Sequence, residues 1–183
     1  METVSAVTET RAGAIGKGMR DIGVEKVTVN MGVGQAGEEL EKAATIMQRI
    51  TDAKPMKTQC KIKQPTWGIR EGLHIGLKVT LRKKAAEDFL KRALSAKDNT
   101  IKEKNFDNAG NFGFGIKEYI DMPEARYDPK LGIRGFDVLV TLARPGYRLR
   151  RRKIGRMKLP SGHRISRGEA VEFVKGKFGV EIQ

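Results

Sequence analysis

The stretch VTVNMGVGQAGEELEKA, residues 27–43, supports two readings that lead to different folds. Gly32, Gly34 and Gly37 follow an apolar segment at the G-x-G-x-x-G spacing, and a helical pattern follows them, as in a dinucleotide-binding turn. Glycines there let the backbone approach a pyrophosphate, and the free N–H groups of a helix N-terminus attract its charge. Asp52 even stands near the offset of the ribose-binding acid. The surroundings decide against a dinucleotide. A dinucleotide-binding strand is covered on both faces and apolar throughout, whereas Val27, Val29 and Met31 alternate with Thr28 and Asn30. The ribose-binding acid should also end a second apolar strand, but Asp52 follows the amphipathic run Leu40, Ala43, Ala44, Met47, Ile50, at the end of a helix. The glycines read as a tight strand-to-helix turn. An NAD-binding enzyme is the disfavoured alternative, and no cofactor is expected.

The same alternation recurs further along. In residues 74–82, Ile75, Leu77, Val79 and Leu81 lie on one side and His74, Gly76, Lys78, Thr80 and Arg82 on the other. Further strands are expected over 56–62, 116–120 and 136–143. Helices are expected over 37–51, over 84–96 with Ala85, Phe89, Ala93 and Leu94 as the inner stripe, and over 166–178 with Ser166 as N-cap and Glu169 three residues on. Strands with one apolar face among amphipathic helices describe an α+β fold, an antiparallel sheet with helices packed on one face and the other face exposed to something wet. Residues 1–23 read as an N-terminal arm or weak helix, and residues 24–183 as one α+β domain carrying a basic loop over 144–167.

Charge points to the partner. Thirty-six Lys and Arg against 22 Asp and Glu leave +14, the electrostatic footprint of a polyanion-binding protein. The signs are segregated: residues 53–86 hold nine cations and one acid, Glu71, and residues 138–168 hold ten cations and no acid. Low hydropathy without an apolar run near twenty residues argues against a membrane span, and the N-terminus lacks the order of a signal peptide, so a soluble intracellular chain is expected. Cys60 is the lone cysteine, and with only His74 and His163 no zinc ligand set is recognisable. Neither histidine has an acid or nucleophile nearby in sequence, so catalysis gets no support and no catalytic residue is named.

The outward positions Thr28, Asn30, Lys78, Thr80 and Arg82 combine short polar groups with flanking cations, a mixture suited to phosphates, sugars and 2′-hydroxyls. Loop KIKQPTWGIREG offers Lys61, Lys63 and Arg70 for phosphate; Trp67 reads either as a base-stacking ring or as an anchor tucked on the core. NFGFGIKEY faintly resembles the aromatic strand of RNA-recognition modules, but packing of Phe112 and Phe114 in the core is the favoured reading. Residues 148–158 hold seven cations in eleven residues: Arg148, Arg150, Arg151, Arg152, Lys153, Arg156 and Lys158. Nothing local offsets their repulsion, so this segment is expected to be mobile without RNA, and binding to fall with salt at a log–log slope of about −4 to −7. A nuclear-localisation or heparin-like patch has the same composition.

The blocks VEKVTVNMGVGQAGEELEKAATIMQRITDAKP, GIREGLHIGLKVTLRKKAAEDFL, NFGFGIKEYI and YDPKLGIRGFDVLVTLARPGYRLRRRKIG, in this order, closely resemble large-subunit ribosomal protein family five, the universal 5S ribosomal RNA-binding family, in its archaeal and eukaryotic branch. The resemblance covers about residues 24–180. It implies an α+β fold and a cytoplasmic, ribosomal, non-enzymatic protein that attaches 5S rRNA in the central protuberance. It further implies contacts with large-subunit rRNA, neighbouring protuberance proteins and a small-subunit head protein, and proximity of the tip around Trp67 to P-site tRNA. Asn30, ending the family's VxVN strand, and Thr80, of its KVTLR strand, are implied to hydrogen-bond RNA. Where many members read TGQKP this chain reads TDAKP, so Asp52 replaces a glycine and Ala53 a glutamine used toward RNA. In GLHIG, His74 stands where proline is usual. An RNA-binding assembly factor or regulator outside the ribosome is the remaining alternative.

Overall fold

The computed structural model of the chain describes residues 18–123 and 125–183. Strand β1 (Gly23–Gly32) runs through the turn at Gly34 and Gly37 into helix α1 (Glu38–Thr51). Strands β2 (Met56–Gln59) and β3 (His74–Leu81) flank a loop, and helix α2 (Lys83–Ser95) follows at once. Then come β4 (Thr100–Ile101), β5 (Phe112–Ile116), β6 (Phe136–Ala143), helix α3 (Arg167–Phe178) and β7 (Glu181–Ile182). Five strands form one antiparallel sheet in the order β2-β3-β1-β6-β5, and β4 pairs with β7 in parallel.

The period-two pattern becomes a layer. Val27, Val29 and Met31 of β1, Leu77, Val79 and Leu81 of β3, and Phe136, Val138, Val140 and Leu142 of β6 are buried on one face. Against them pack Leu40, Ala43, Ile46, Met47 and Ile50 of α1 and Ala86, Phe89, Leu90, Ala93 and Leu94 of α2, with Ala170 and Val174 of α3 in the same cluster. Each large side chain removed from water here contributes roughly 1.5–3 kcal/mol before the entropy of ordering it is counted.

The turn that raised the dinucleotide question has positive φ at Gly34 (79°) and Gly37 (100°), the latter as the N-cap of α1. A side chain at either place is strained, which is what the glycines are for. Helix α1 has no side-chain cap at its start; Glu38, Glu39 and Glu41 in its first turn complement the helix dipole instead. Asp52 is its C-cap in the left-handed region (φ 52°), at a helix end as expected, and its backbone N–H donates to Gln48 O at 2.9 Å. The glycine usual there in the resembling family is the residue that conformation favours. His74 opens β3, where a proline is also accommodated.

Several expectations are corrected. The strand expected over 116–120 lies at Phe112–Ile116, and Tyr119–Asp121 is a short 3-10 turn. Glycines usually weaken a strand, but here Gly113 leaves room for its neighbour: a Cβ on it would stand 2.7 Å from Leu139 Cδ2. Phe112 and Phe114 are both buried in the core, so neither is a stacking platform. Phe89, Ala93 and Leu94 are buried as expected, but Ala85 is exposed: the stripe runs Ala86, Phe89, Leu90, Ala93, Leu94, at i, i+3, i+4, i+7 and i+8, which leaves Ala85 outside it. The strand expected to reach Arg82 stops at Leu81, and Arg82 is instead the N-cap of α2. The strand expected over 56–62 ends at Gln59. Helix α3 begins with the expected capping box between Ser166 and Glu169. Of the arm expected over 1–23, residues 1–17 lie outside the described residues.

Candidate nucleic-acid interface

The face of the sheet opposite the helices carries rows of level side chains. Residues paired directly across antiparallel strands point the same way, with strands about 4.8 Å apart. One row runs Met56, Lys78, Asn30, Asp137, Gly115, and the next runs Thr80, Thr28, Leu139, Gly113. Lys78 and Thr80 are exposed, and Thr28 and Asn30 are half-buried by their neighbours. Four of the five expected sheet-face residues therefore fall in two adjacent rows, with Arg82 just past the end of β3. The sequence reading missed Asp137, Leu139 and Thr141 of β6, although Phe136–Ala143 has the same alternation. Leu139 is 49% exposed, so the face is polar but not uniformly so.

A β-bulge at the start of β1 displaces Glu25 from the ladder with β6, where the register slips between Val24 and Lys26. Its carboxylate accepts two hydrogen bonds from the Arg151 guanidinium and lies 3.8 Å from Arg82 Nη1. The bonds from Arg151 are the main reason its carboxyl is held below the ordinary carboxylate range, with burial opposing them. One acid thus joins the end of the sheet to the arginine-rich segment. This corrects the expectation that nothing offsets that segment's repulsion: its counter-charge comes from residue 25, beyond the reach of any local pattern.

The rest of the basic block divides by partner. Arg144 is buried, with Nη2 2.7 Å from Glu169 Oε1, and Arg167 reaches Glu103, so the first ties α3 to the end of β6 and the second ties it to the turn after β4. Arg152 Nε donates to Gly155 O at 2.6 Å. Among the described residues, Arg148, Arg150, Lys153, Arg156 and Lys158 have no carboxylate partner, and all five are exposed.

The loop between β2 and β3 is a hydrogen-bonded finger. Cys60 N–H donates to Leu73 O, Gly72 N–H to Cys60 O, and Gln64 and Ile69 exchange a pair of bonds around the 3-10 turn Pro65–Trp67. Only Ile69 is buried at its tip, while Trp67 is 73% exposed. The anchoring reading of Trp67 is therefore excluded, and its ring stands free beside exposed Lys61, Lys63 and Arg70. Cys60 Sγ points at Ile62 O (2.9 Å), and the His74 ring meets the Gln59 amide at 3.4 Å. Among the described residues no group of three potential metal ligands converges, and no helix is long and apolar enough to cross a membrane.

An open, mixed polar sheet face flanked by unpaired cations and one exposed aromatic ring has the chemistry to hold a folded polynucleotide. Comparison with known proteins agrees with that chemistry. Residues 18–70 match the family described as ribosomal protein L5, and residues 74–173 match the C-terminus of the same ribosomal protein family. Large ribosomal subunit protein uL5 of Methanoregula boonei is 47% identical over 165 residues, 90% of this chain and the whole of that protein. The uL5 proteins of Sulfolobus acidocaldarius (46%, covering 90% of this chain and 92% of the relative) and Nanoarchaeum equitans (48%, covering 90% and 97%) are similar to the same extent. The chain belongs to the ribosomal protein L5 family, structural constituents of the large ribosomal subunit rather than enzymes.

Proposed function

We propose that within the large subunit the chain binds 5S rRNA on the open face of its sheet and attaches it in the central protuberance. The observation that carries this reading is the pair of rows in which Thr28 stands level with Thr80 and Asn30 with Lys78. Hydroxyl and amide groups hydrogen-bond sugar and phosphate oxygens, and Lys78 and Arg82 supply charge beside them. The finger carrying Lys61, Lys63, Trp67 and Arg70 reaches toward P-site tRNA, where a free ring and cations suit an exposed base and its phosphates. Arg148, Arg150, Arg152, Lys153, Arg156 and Lys158 tie neighbouring large-subunit rRNA to the complex, with Arg151 held ready by Glu25. The helix side is left for protein neighbours in the protuberance and in the small-subunit head. Residues 24–183 act as one domain in this role.

The test is filter binding of a 5S rRNA transcript across a salt series. Asn30→Ala with Thr80→Ala removes two uncharged hydrogen-bonding groups, each contributing about 0.5–1.5 kcal/mol. Affinity is expected to fall roughly 5- to 150-fold with the salt slope unchanged, because no cation is lost. Unchanged affinity removes the sheet face from the interface.

A further inference from the structure

The geometry points to a binding site for a single unstacked RNA nucleotide in the cleft between residues 107–111 and the basic segment, its base on an apolar floor and its phosphates on arginine and lysine. This rests on the RNA-binding function proposed above and gives Arg150, Arg156 and Lys158 a specific ligand, together with Asn108, Tyr147, Met157 and Arg164, which that function leaves unassigned. The cleft is open and measures about 690 Å³, within the range of small-ligand sites. Four cations line it, Arg150, Arg156, Lys158 and Arg164, and no carboxylate does.

The floor is apolar and fixed. Leu159 and Ile165 are buried there, and the Tyr147 ring lies beside them. Tyr147 Oη accepts from Ile165 N–H at 2.8 Å and donates to His163 O at 3.3 Å, while His163 Nε2 lies 2.9 Å from Pro145 O. The opposite wall is Asn108 and Ala109. They are held by Asp107, whose Oδ1 accepts from Ala109 N–H (2.9 Å) and Asn111 N–H (2.7 Å) and whose Oδ2 accepts from Asn111 Nδ2 (3.0 Å). The Asp107 carboxylate is thus spent on the loop, and the Asn108 amide, exposed and without a protein partner among the described residues, is left for a base edge.

The combination selects the ligand. Phosphates of a duplex would meet the cations but leave the apolar floor wet, because a paired base cannot enter a cleft. An unstacked base covers the floor, offers its edge to Asn108 and carries its own phosphates to the rim. Met157, 62% exposed at the lip, loses water at the same time.

The probe is RNA extracted from purified large ribosomal subunits, bound to the full chain and irradiated with ultraviolet light, with peptide–nucleotide adducts identified by mass spectrometry. The expected result is an adduct at Tyr147 or Met157. Ala109→Trp, at an exposed position, fills the cleft and should lower that adduct about tenfold, the scale of one base stack, while adducts elsewhere persist. Met157→Glu, which sets a negative charge against the phosphates from an exposed site, should lower the adduct at Tyr147 likewise and serves if the tryptophan variant does not fold. Adducts on the finger or the sheet strands with none in the cleft, or a cleft adduct that survives both substitutions, overturn the proposal and leave the proposed function standing. Failure of the wild-type chain to retain any RNA overturns both.

Discussion

Among single residues, Glu25 shows how one acid organises many cations. It sits at a bulge, faces Arg151 and Arg82, and is mostly shielded from solvent. Its carboxyl is held low, so its contribution to stability is complete above the ordinary carboxylate range and is lost as pH falls through its lowered folded-state value. Glu25→Gln is expected to lose about 1 kcal/mol at neutral pH, a drop in Tm of roughly 2–4 °C for a chain of this size. The gap from wild type should close in strongly acidic buffer, as thermal melts at several pH values will show; a gap that is constant with pH contradicts an ionic role. Trp67 provides a second prediction of this kind. It is the sole tryptophan and its ring is exposed, so its fluorescence reports on the finger alone. Binding of tRNA or rRNA there should quench it, and saturating RNA that leaves the emission untouched removes Trp67 from the interface.

Among the elements, helix α3 depends on its first turn. Its Ser166–Glu169 box satisfies two backbone donors, and Glu169 also receives Arg144, which is buried. The Ser166 backbone N–H is the largest cause of the low Glu169 carboxyl, followed by the Arg144 guanidinium. Ser166→Ala is expected to cost about 1 kcal/mol by chemical denaturation. In α2, Phe89 fills the space between helix and sheet, and Phe89→Ala should cost about 3–5 kcal/mol. The exposed Ala85 of the same helix should tolerate a polar residue within about 0.5 kcal/mol, as a position outside the buried stripe does and one inside it does not. The basic segment behaves as an element too. Replacing Arg148, Arg150, Arg156 and Lys158 by Gln should make the salt slope shallower by about 3–4, one for each phosphate no longer neutralised.

Across the molecule, the two faces of the sheet divide the work. One buries hydrocarbon under two helices, and the other, with the finger and the basic segment at its margins, gathers cations that lack internal partners. The +14 charge is therefore not spread evenly: acids on α1 neutralise Lys57, Arg134 and Lys42 on the helix side. As a large-subunit constituent, the native protein is expected to co-sediment with large subunits after a moderate salt wash and to leave them in high salt. Release at low salt would fit a loosely bound assembly factor instead.

Local patterns in the chain were enough to say which residues of β1 and β3 face inward, where α1 and α3 begin, and that Thr28, Asn30, Lys78 and Thr80 point away from the core. These follow from periods of two and 3.6 residues and from caps a few positions long, all of which lie within a short window. It took the folded chain to establish that Thr28 is level with Thr80, that β6 adds Asp137 and Leu139 to the same face, that Glu25 holds Arg151, and that Asn108 and Lys158 line one cleft. Those facts depend on strand order, register and a bulge, which bring together residues up to 126 positions apart through burial that no short window of sequence contains.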